Sequence, residues 1–453
     1  MIQMKKFYLF LITILLTVFS FSSANLLTEN DPEYYFKKLG EVYLKYPIYG
    51  DLKNTPESFE NYIHFSMDLK YEDRIMEGFN LSGGRYRSTE INEVLFRDFV
   101  LENGNLFKFG IKNYYSDYFY AQFIADFRLG DTSYFTYENC SVFNLPSLVY
   151  ISLDFPTYSY LSYNKEDLSF LVGRIPLSYG PMKYNLVLSD NSPYYDTLAI
   201  SYSFNDKLDY DFSVLSMVPM LSKEEYATME DEFIAFRNAF YNGLNYNPNE
   251  KLYLGISSLN QVAGELPNLV NMFIISDVGV YGGYMKIIPF WDISIDTEYA
   301  FNYDTNSSGY GLGLSKTFDF EGAKFRIGVE RYEIQDNFFS SDYPYDNLYY
   351  RTIVLSSEPG ARIFFDYPFG FKYGEDSKIN SVDLTLALEK GYFNYIWDYG
   401  TNSKGMIDSN IFSFLFNTKM GDFEMKWKSL KNGEEEFETF LISYLFEVNF
   451  LLP

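Results

Sequence analysis

The chain has 453 residues, 47% of them hydrophobic and 21% aromatic, with 45 Phe, 45 Tyr and 3 Trp; a chain this apolar is not globally disordered. A formal net charge of −25 removes nucleic acid from the partners, because phosphate repels it. A lone cysteine, Cys140, excludes a disulfide framework and a thiolate zinc site, and a lone histidine, His64, leaves little room for His-based metal or triad chemistry.

Residues 1–24 read as a secretory signal. Lys5 and Lys6 are its positive start, Phe7 to Phe21 its uncharged apolar stretch, and Ser22-Ser23-Ala24 the small residues before cleavage near Asn25. Residues 25–58 read as a short helical, plug-like segment. Asp31 stands at an N-cap, Pro32 at the first helical position, and Tyr35, Leu39, Val42 and Tyr43 share a face. No later run reaches the roughly 18 apolar residues of a helical membrane span.

From Phe59 the pattern switches to period two and keeps it. Ile63, Phe65, Met67 and Leu69 alternate with Tyr62, His64, Ser66, Asp68 and Lys70. Ile293, Ile295, Thr297, Tyr299 and Phe301 alternate with Asp292, Ser294, Asp296 and Glu298. The final run puts Phe440, Ile442, Tyr444, Phe446, Val448 and Phe450 on one face. These runs exceed the five or six residues usual in soluble strands and fit the roughly 9–11 that a tilted membrane strand needs. Aromatic residues gather at run ends, as in Tyr114-Tyr115 and Tyr349-Tyr350, where an interfacial girdle belongs. The pattern predicts an all-β fold over residues 59–453: a transmembrane antiparallel β-barrel of 16–18 strands. Such a barrel belongs in the outer membrane of a two-membrane bacterium, with outer-membrane lipid around it. Short turns such as Lys390-Gly391 then face the periplasm. Ser222 to Leu244, with Phe233, Phe236 and Phe240 at helical spacing, predicts a loop helix.

Candidate chemistry is sparse. His64 and Ser66 share a strand face, but it is the polar, bore-facing one, where a lumen histidine beside a hydroxyl is the plainer reading. No catalytic residue is assigned, and the chain is read as a non-enzyme. Asp292, Asp296 and Glu298 form an acidic strip on one bore-facing run, with Asp383 and Glu389 on another. Stacked carboxylates suit divalent-cation binding or cation selectivity, yet a solvated barrel interior accounts for them equally, and no metal is assigned. Gly282-Gly283 and Gly311-Leu312-Gly313 lack the strand–turn–helix context of a phosphate loop, so tight packing explains them and no cofactor is expected.

The stretch from Phe170 to Phe204 is the most informative. It runs strand, Gly173-Arg174, Tyr179-Gly180-Pro181, Leu188-Ser189-Asp190-Asn191-Ser192-Pro193, strand. A polar excursion of this kind between membrane strands can fold inward and narrow the bore. In these motifs the stretch resembles the Wzi-type capsule-assembly family of outer-membrane barrels, with Tyr179 where that family favours Trp and Met182 where it has a second Gly. The resemblance implies an 18-strand barrel with a small helical plug that binds or organises capsular or extracellular polysaccharide. It makes Arg174, Tyr179, Asp190 and Asn191 the polysaccharide-contact or lumen-constriction residues. The composition also suits a second function, a general diffusion porin preferring cations.

Overall fold

A computed structural model describes residues 25–26, 31–39, 52–53, 59–77, 86–87, 105–115, 119–129, 149–151, 159–165, 167–192, 194–217, 237–263, 268–273, 278–289, 291–341, 347–355, 362–418 and 421–452. Eighteen antiparallel strands close on themselves as a barrel. Each pairs with its sequence neighbour, and the ring shuts where Glu60–Glu77 meets Glu435–Leu452, in register from Asn61↔Leu452 to Glu77↔Glu436. Closure pairs every edge, the condition for carrying a sheet through lipid.

Alternation decides what each face meets. On Ile293–Asn302 the side chains of Ser294, Asp296, Glu298, Ala300 and Asn302 point into the bore and are buried. Their neighbours face outward, and Tyr299 is 54% exposed. The same outward exposure recurs at Phe109, Ile256, Leu312 and Phe320. A continuous apolar belt of this size is stable only against lipid, which makes the chain an outer-membrane barrel. No described helix is long and apolar enough to cross a membrane.

The two rims differ. On one, strands such as Asn205/Leu208, Asn249/Leu252, Phe320/Ala323 and Leu388/Gly391 join through tight turns. The other rim carries most of the long connections, including 176–194 and 335–376, and outer-membrane barrels hold such connections outside the cell. Tyr349–Leu355 and Arg362–Pro368 are not wall strands: they form a separate small sheet with Tyr86–Arg87 on that rim. Val149–Ile151 and Tyr160–Lys165 both pair with Phe119–Leu129 and share one place in the wall. The loop helix expected over Ser222 to Leu244 is corrected at its far end, where Arg237–Asn249 is a wall strand. Phe240 packs there with period two; residues 218–236, with Phe233 and Phe236, lie outside the described residues, as does the expected signal.

Near the tight-turn rim, helix Pro32–Lys38 sits in the bore. Pro32 opens it as expected, after Asp31 in an extended conformation without a side-chain cap bond. The Tyr35 ring lies 4.1 Å from that of Tyr392, and the Lys324 ammonium lies 5.0 Å over Phe36. Tyr392 and Lys324 are each the second residue of their strands, which fixes the helix at this end.

Candidate functional site in the bore

Strand Leu168–Ile175 delivers the chain to the long-loop rim, and the chain then turns into the bore before returning on Tyr195–Asn205. Arg174 and Asp196 face each other across this neck. The guanidinium donates to Asp196 through Nε at 2.7 Å and Nη2 at 2.9 Å and lies 4.1 Å over the Tyr194 ring. The bidentate fork fixes both ends of the excursion. Farther in, the Tyr179 amide donates to the Leu188 carbonyl at 3.1 Å and draws the segment into a narrow loop. Gly180 has φ +133°, and a Cβ there would stand 2.3 Å from Asn185 Oδ1, so only glycine fits this bend.

The segment is buried among wall residues of successive strands. Tyr179 stacks on Tyr241 at 4.2 Å and shares a 2.9 Å hydrogen bond with Ser213. Lys183 Nζ donates to Ser381 at 3.1 Å and lies 3.6 Å from Asp398. Tyr184 donates to Asp398 at 2.6 Å, alongside Tyr373 at 2.7 Å. Burial, and next the Asp398 charge, pushes the Tyr184 phenol well above its ordinary range, so it donates as a neutral hydroxyl.

Backbone brought into a protein interior must find partners. The wall supplies acids for that purpose: Leu186 N–H donates to Glu298 at 2.8 Å and Lys183 N–H to Glu330 at 3.3 Å. The wall also supplies space. A Cβ on Gly282 would stand 2.4 Å from Val187 Cγ2, and one on Gly311 would stand 3.1 Å from Met182 Cε. These bore-facing glycines are sockets for the segment's side chains.

A second connection packs over the first. Ser189 N–H donates to the Phe369 carbonyl at 2.7 Å, Asn191 Nδ2 donates to the Pro368 and Gly370 carbonyls, and Tyr195 donates to the Ser189 carbonyl at 2.6 Å. A Cβ on Gly370 would fall 1.8 Å from the Leu186 carbonyl oxygen, so the two connections touch backbone to backbone. On the same rim Glu375 accepts from Ser340 Oγ at 3.0 Å, and burial raises its carboxyl above the usual range.

Three of the four residues singled out in sequence lie in the inward-folded segment: Tyr179 against the wall, Asn191 under the second connection, and Asp190 half-buried, accepting from Ser189 Oγ at 3.4 Å. Arg174 belongs to the wall strand, on the outward-facing side with Val172, and clamps the neck from there. Of the acidic strip, Glu298 holds the segment and Asp296 lies 3.3 Å from Lys286. Asp292 does not join them. It is exposed in the turn before the strand, at φ +55° after Trp291 at +52°, and alternation starts only at Ile293. Asp383 lies 3.6 Å from Arg326, whereas Glu389 is exposed in the turn after Leu388. His64 faces the bore as expected, its Nδ1 2.9 Å from Asn449 Oδ1 and 3.6 Å from Glu447. Lys183, Tyr184, Glu330, Gly370 and Asp398 were not foreseen; the one hint was glycine on a bore-facing run.

No protein-family model and no curated protein sequence matches the chain. Among solved structures, Wzi, an outer-membrane protein involved in group 1 capsule assembly in Escherichia coli and described as a carbohydrate-binding β-barrel, aligns with 95% of this chain and 100% of its own, with TM-score 0.58 and 10% identity. The two barrels share one fold. Pseudomonas aeruginosa OpdO aligns with 87% of this chain and 98% of its own, with TM-score 0.46 and 9% identity. For Acinetobacter baumannii OccAB2 the values are 86%, 98%, 0.46 and 12%.

Proposed function

We propose that this outer-membrane barrel binds or organises capsular or extracellular polysaccharide at the cell surface and does not serve as a diffusion channel. One observation carries the reading. The segment from 176 to 194 occupies the bore, anchored to wall strands from Ser213 round to Asp398. Anchors spread over this many strands hold the segment across the path a diffusing solute would take. In this reading Tyr179, Asp190 and Asn191 constrict the bore, each engaged within the segment or with the residues that pack on it, and Arg174 clamps the neck that holds them there. Sugar contact falls to the long-loop rim, where Tyr303, 60% exposed just past strand Ile293–Asn302, offers a flat apolar face and a hydroxyl. We assign no reaction.

Conductance of the full chain in a planar bilayer, with and without residues 173–193, tests this. The intact protein is expected to stay closed and the deletion to open it. Cells lacking the protein are then expected to shed surface polysaccharide, and cells with the closed barrel to retain it. A large, steady, cation-preferring conductance of the intact barrel overturns the proposal in favour of a porin.

A further inference from the structure

Five consecutive strands form a trough on the outer, lipid-facing wall. Cross-strand pairing sets Leu244, Ile256, Gly283, Tyr299 and Tyr310 in one row. One step along the strands, Leu254, Met285, Thr297 and Leu312 make the next. Gly283 leaves the floor open between them: a Cβ there would meet nothing nearer than the Gly255 carbonyl oxygen at 3.7 Å. The resulting cavity of about 670 Å³ is walled by Ile256, Tyr299, Tyr310 and Leu312, all well exposed. With strands spaced about 4.8 Å apart, the trough is roughly 20 Å long, the scale of one lipid acyl chain.

Both rows run on into charge. Past Tyr310 the first row reaches Glu333 and then Lys378, and past Leu312 the second reaches Arg331. Lys378 Nζ lies 3.0 Å from Glu333 Oε1, Arg331 Nη2 lies 3.9 Å from Oε2, and the Tyr310 hydroxyl donates to Oε2 at 2.6 Å. Two cations thus share one carboxylate. Their side chains are 57% and 61% exposed, within three residues of the strand ends at Ile334 and Ser377. Elsewhere on this rim Lys431 is matched singly by Glu436 at 2.5 Å.

An apolar trough alone selects little in a bilayer, because lipid tails are as apolar as the wall. Selectivity comes from the charged end. We propose that the trough seats one acyl chain of the phosphorylated acyl glycolipid of the outer leaflet, with Arg331 and Lys378 taking its phosphate. Leaflet and headgroup follow from position and charge: the cations stand at the long-loop, outward rim, and among the described residues the single carboxylate of Glu333 pairs with both, leaving one positive charge uncompensated. The guanidinium fork suits phosphate oxygens, and the ammonium adds a point charge. Tyr299 and Tyr310 flank the chain with amphipathic rings at the depth where such rings settle.

The test is native mass spectrometry of the full-length barrel in non-ionic detergent with added bis-phosphorylated lipid A, its dephosphorylated form, or phosphatidylglycerol. Lipid A is expected to stay bound, and R331A/K378A to weaken it roughly tenfold or more, since each boundary cation is worth about fivefold. Gly283→Leu, which fills open space, is expected to weaken it comparably while the folded barrel keeps its heat-sensitive gel mobility. Glu333→Gln strengthens binding by releasing both cations, and K431A changes nothing. Retention of dephosphorylated lipid or phosphatidylglycerol equal to that of lipid A overturns the proposal, as does an undiminished complex in a folded Gly283→Leu barrel.

Discussion

From Gly282 to Asp398 the bore face carries glycines where the inserted segment's side chains enter and acids where its N–H groups arrive. The opposite wall, from Ser409 through Glu447 to Lys112, carries polar side chains that answer one another. There Lys112 Nζ donates to Glu447 at 3.0 Å, Asn449 Nδ2 donates to the same oxygen at 3.0 Å, and His64 leans on Asn449. Both walls alternate polar and apolar in the same way. One is built to receive a protein segment and the other to satisfy itself, and the strand pattern alone does not separate the two.

Asp398 is where the receiving wall is most exposed to attack. It is fully buried and accepts from Tyr184, Tyr373 and Ser381, with Lys183 3.6 Å away. Asp398→Ala strands a mostly buried ammonium and two phenols, and removing one partner of a buried pair costs about 3–5 kcal/mol. The segment is expected to leave its seat, giving frequent open-channel events and protease cleavage between 176 and 194 while the barrel stays folded. Asp398→Asn keeps an acceptor and should show a smaller rise in both. A closed, protease-resistant D398A barrel would show that the segment is held elsewhere.

Gly370→Val strikes the same seat from above. Its Cβ would overlap the Leu186 carbonyl, where no side-chain rotation relieves the clash. Overpacking of this kind costs about 1–3 kcal/mol, and here it falls on the contact between two connections. Conductance should rise less than in Asp398→Ala. A crosslink between cysteines placed at 189 and 369, whose backbones are hydrogen-bonded in the native protein, should form more slowly.

The wall itself was legible in sequence because a strand's side chains have a period of two and a bilayer demands long strands. A wall of 16–18 strands, the outer belt, the tight-turn rim and the start of helix Pro32–Lys38 follow from local pattern. The figure of eighteen comes only with the family resemblance, because a run on the rim such as Tyr349–Leu355 reads like a wall strand. Arg237–Asn249 escaped because Asn238, Asn242, Gly243, Asn245 and Pro248 are poor strand formers. Its Asn242 is held instead by neighbours: it accepts from Tyr210 at 2.7 Å and donates to the Met272 carbonyl at 3.1 Å. At the site, the neck and bends of the segment were legible because Gly180 and the Asp-Asn-Ser-Pro turn are local signals. Lys183, Tyr184 and Asp398 were not, because their roles depend on strands more than a hundred residues apart being brought to one place in the bore. Gly282 and Gly311 show the limit well: their lack of a side chain is visible in the sequence, but what fills the space is not.

On the self-satisfying wall, Lys112→Ala sharpens the contrast. Lys112 is 4% exposed at its side chain and Glu447 32%, so the carboxylate left behind still reaches solvent and the loss is about 2 kcal/mol. Thermal unfolding of the barrel, followed by gel mobility, should begin at lower temperature. Conductance should stay as low as in the parent, because the anchors of the segment described above lie on the rest of the wall, from Ser213 round to Asp398. An open K112A channel would mean that the two walls are coupled through the strands and that the contrast between them is only local.

Tyr179→Phe gives the smallest expected effect and tells the segment's two kinds of anchor apart. The substitution removes the 2.9 Å bond to Ser213 and keeps the ring, which stacks on Tyr241 with the planes 8° apart. A neutral hydrogen bond is worth about 1 kcal/mol, and an aromatic pair adds about the same beyond its buried area. Tyr179→Phe should therefore lower protease resistance of the segment by about fivefold at most, and Tyr179→Ala, losing both together with the ring's buried area, should lower it by well over about tenfold. Equal loss in the two variants would place the anchor in the hydroxyl, and the stacking on Tyr241 would then be mere filling.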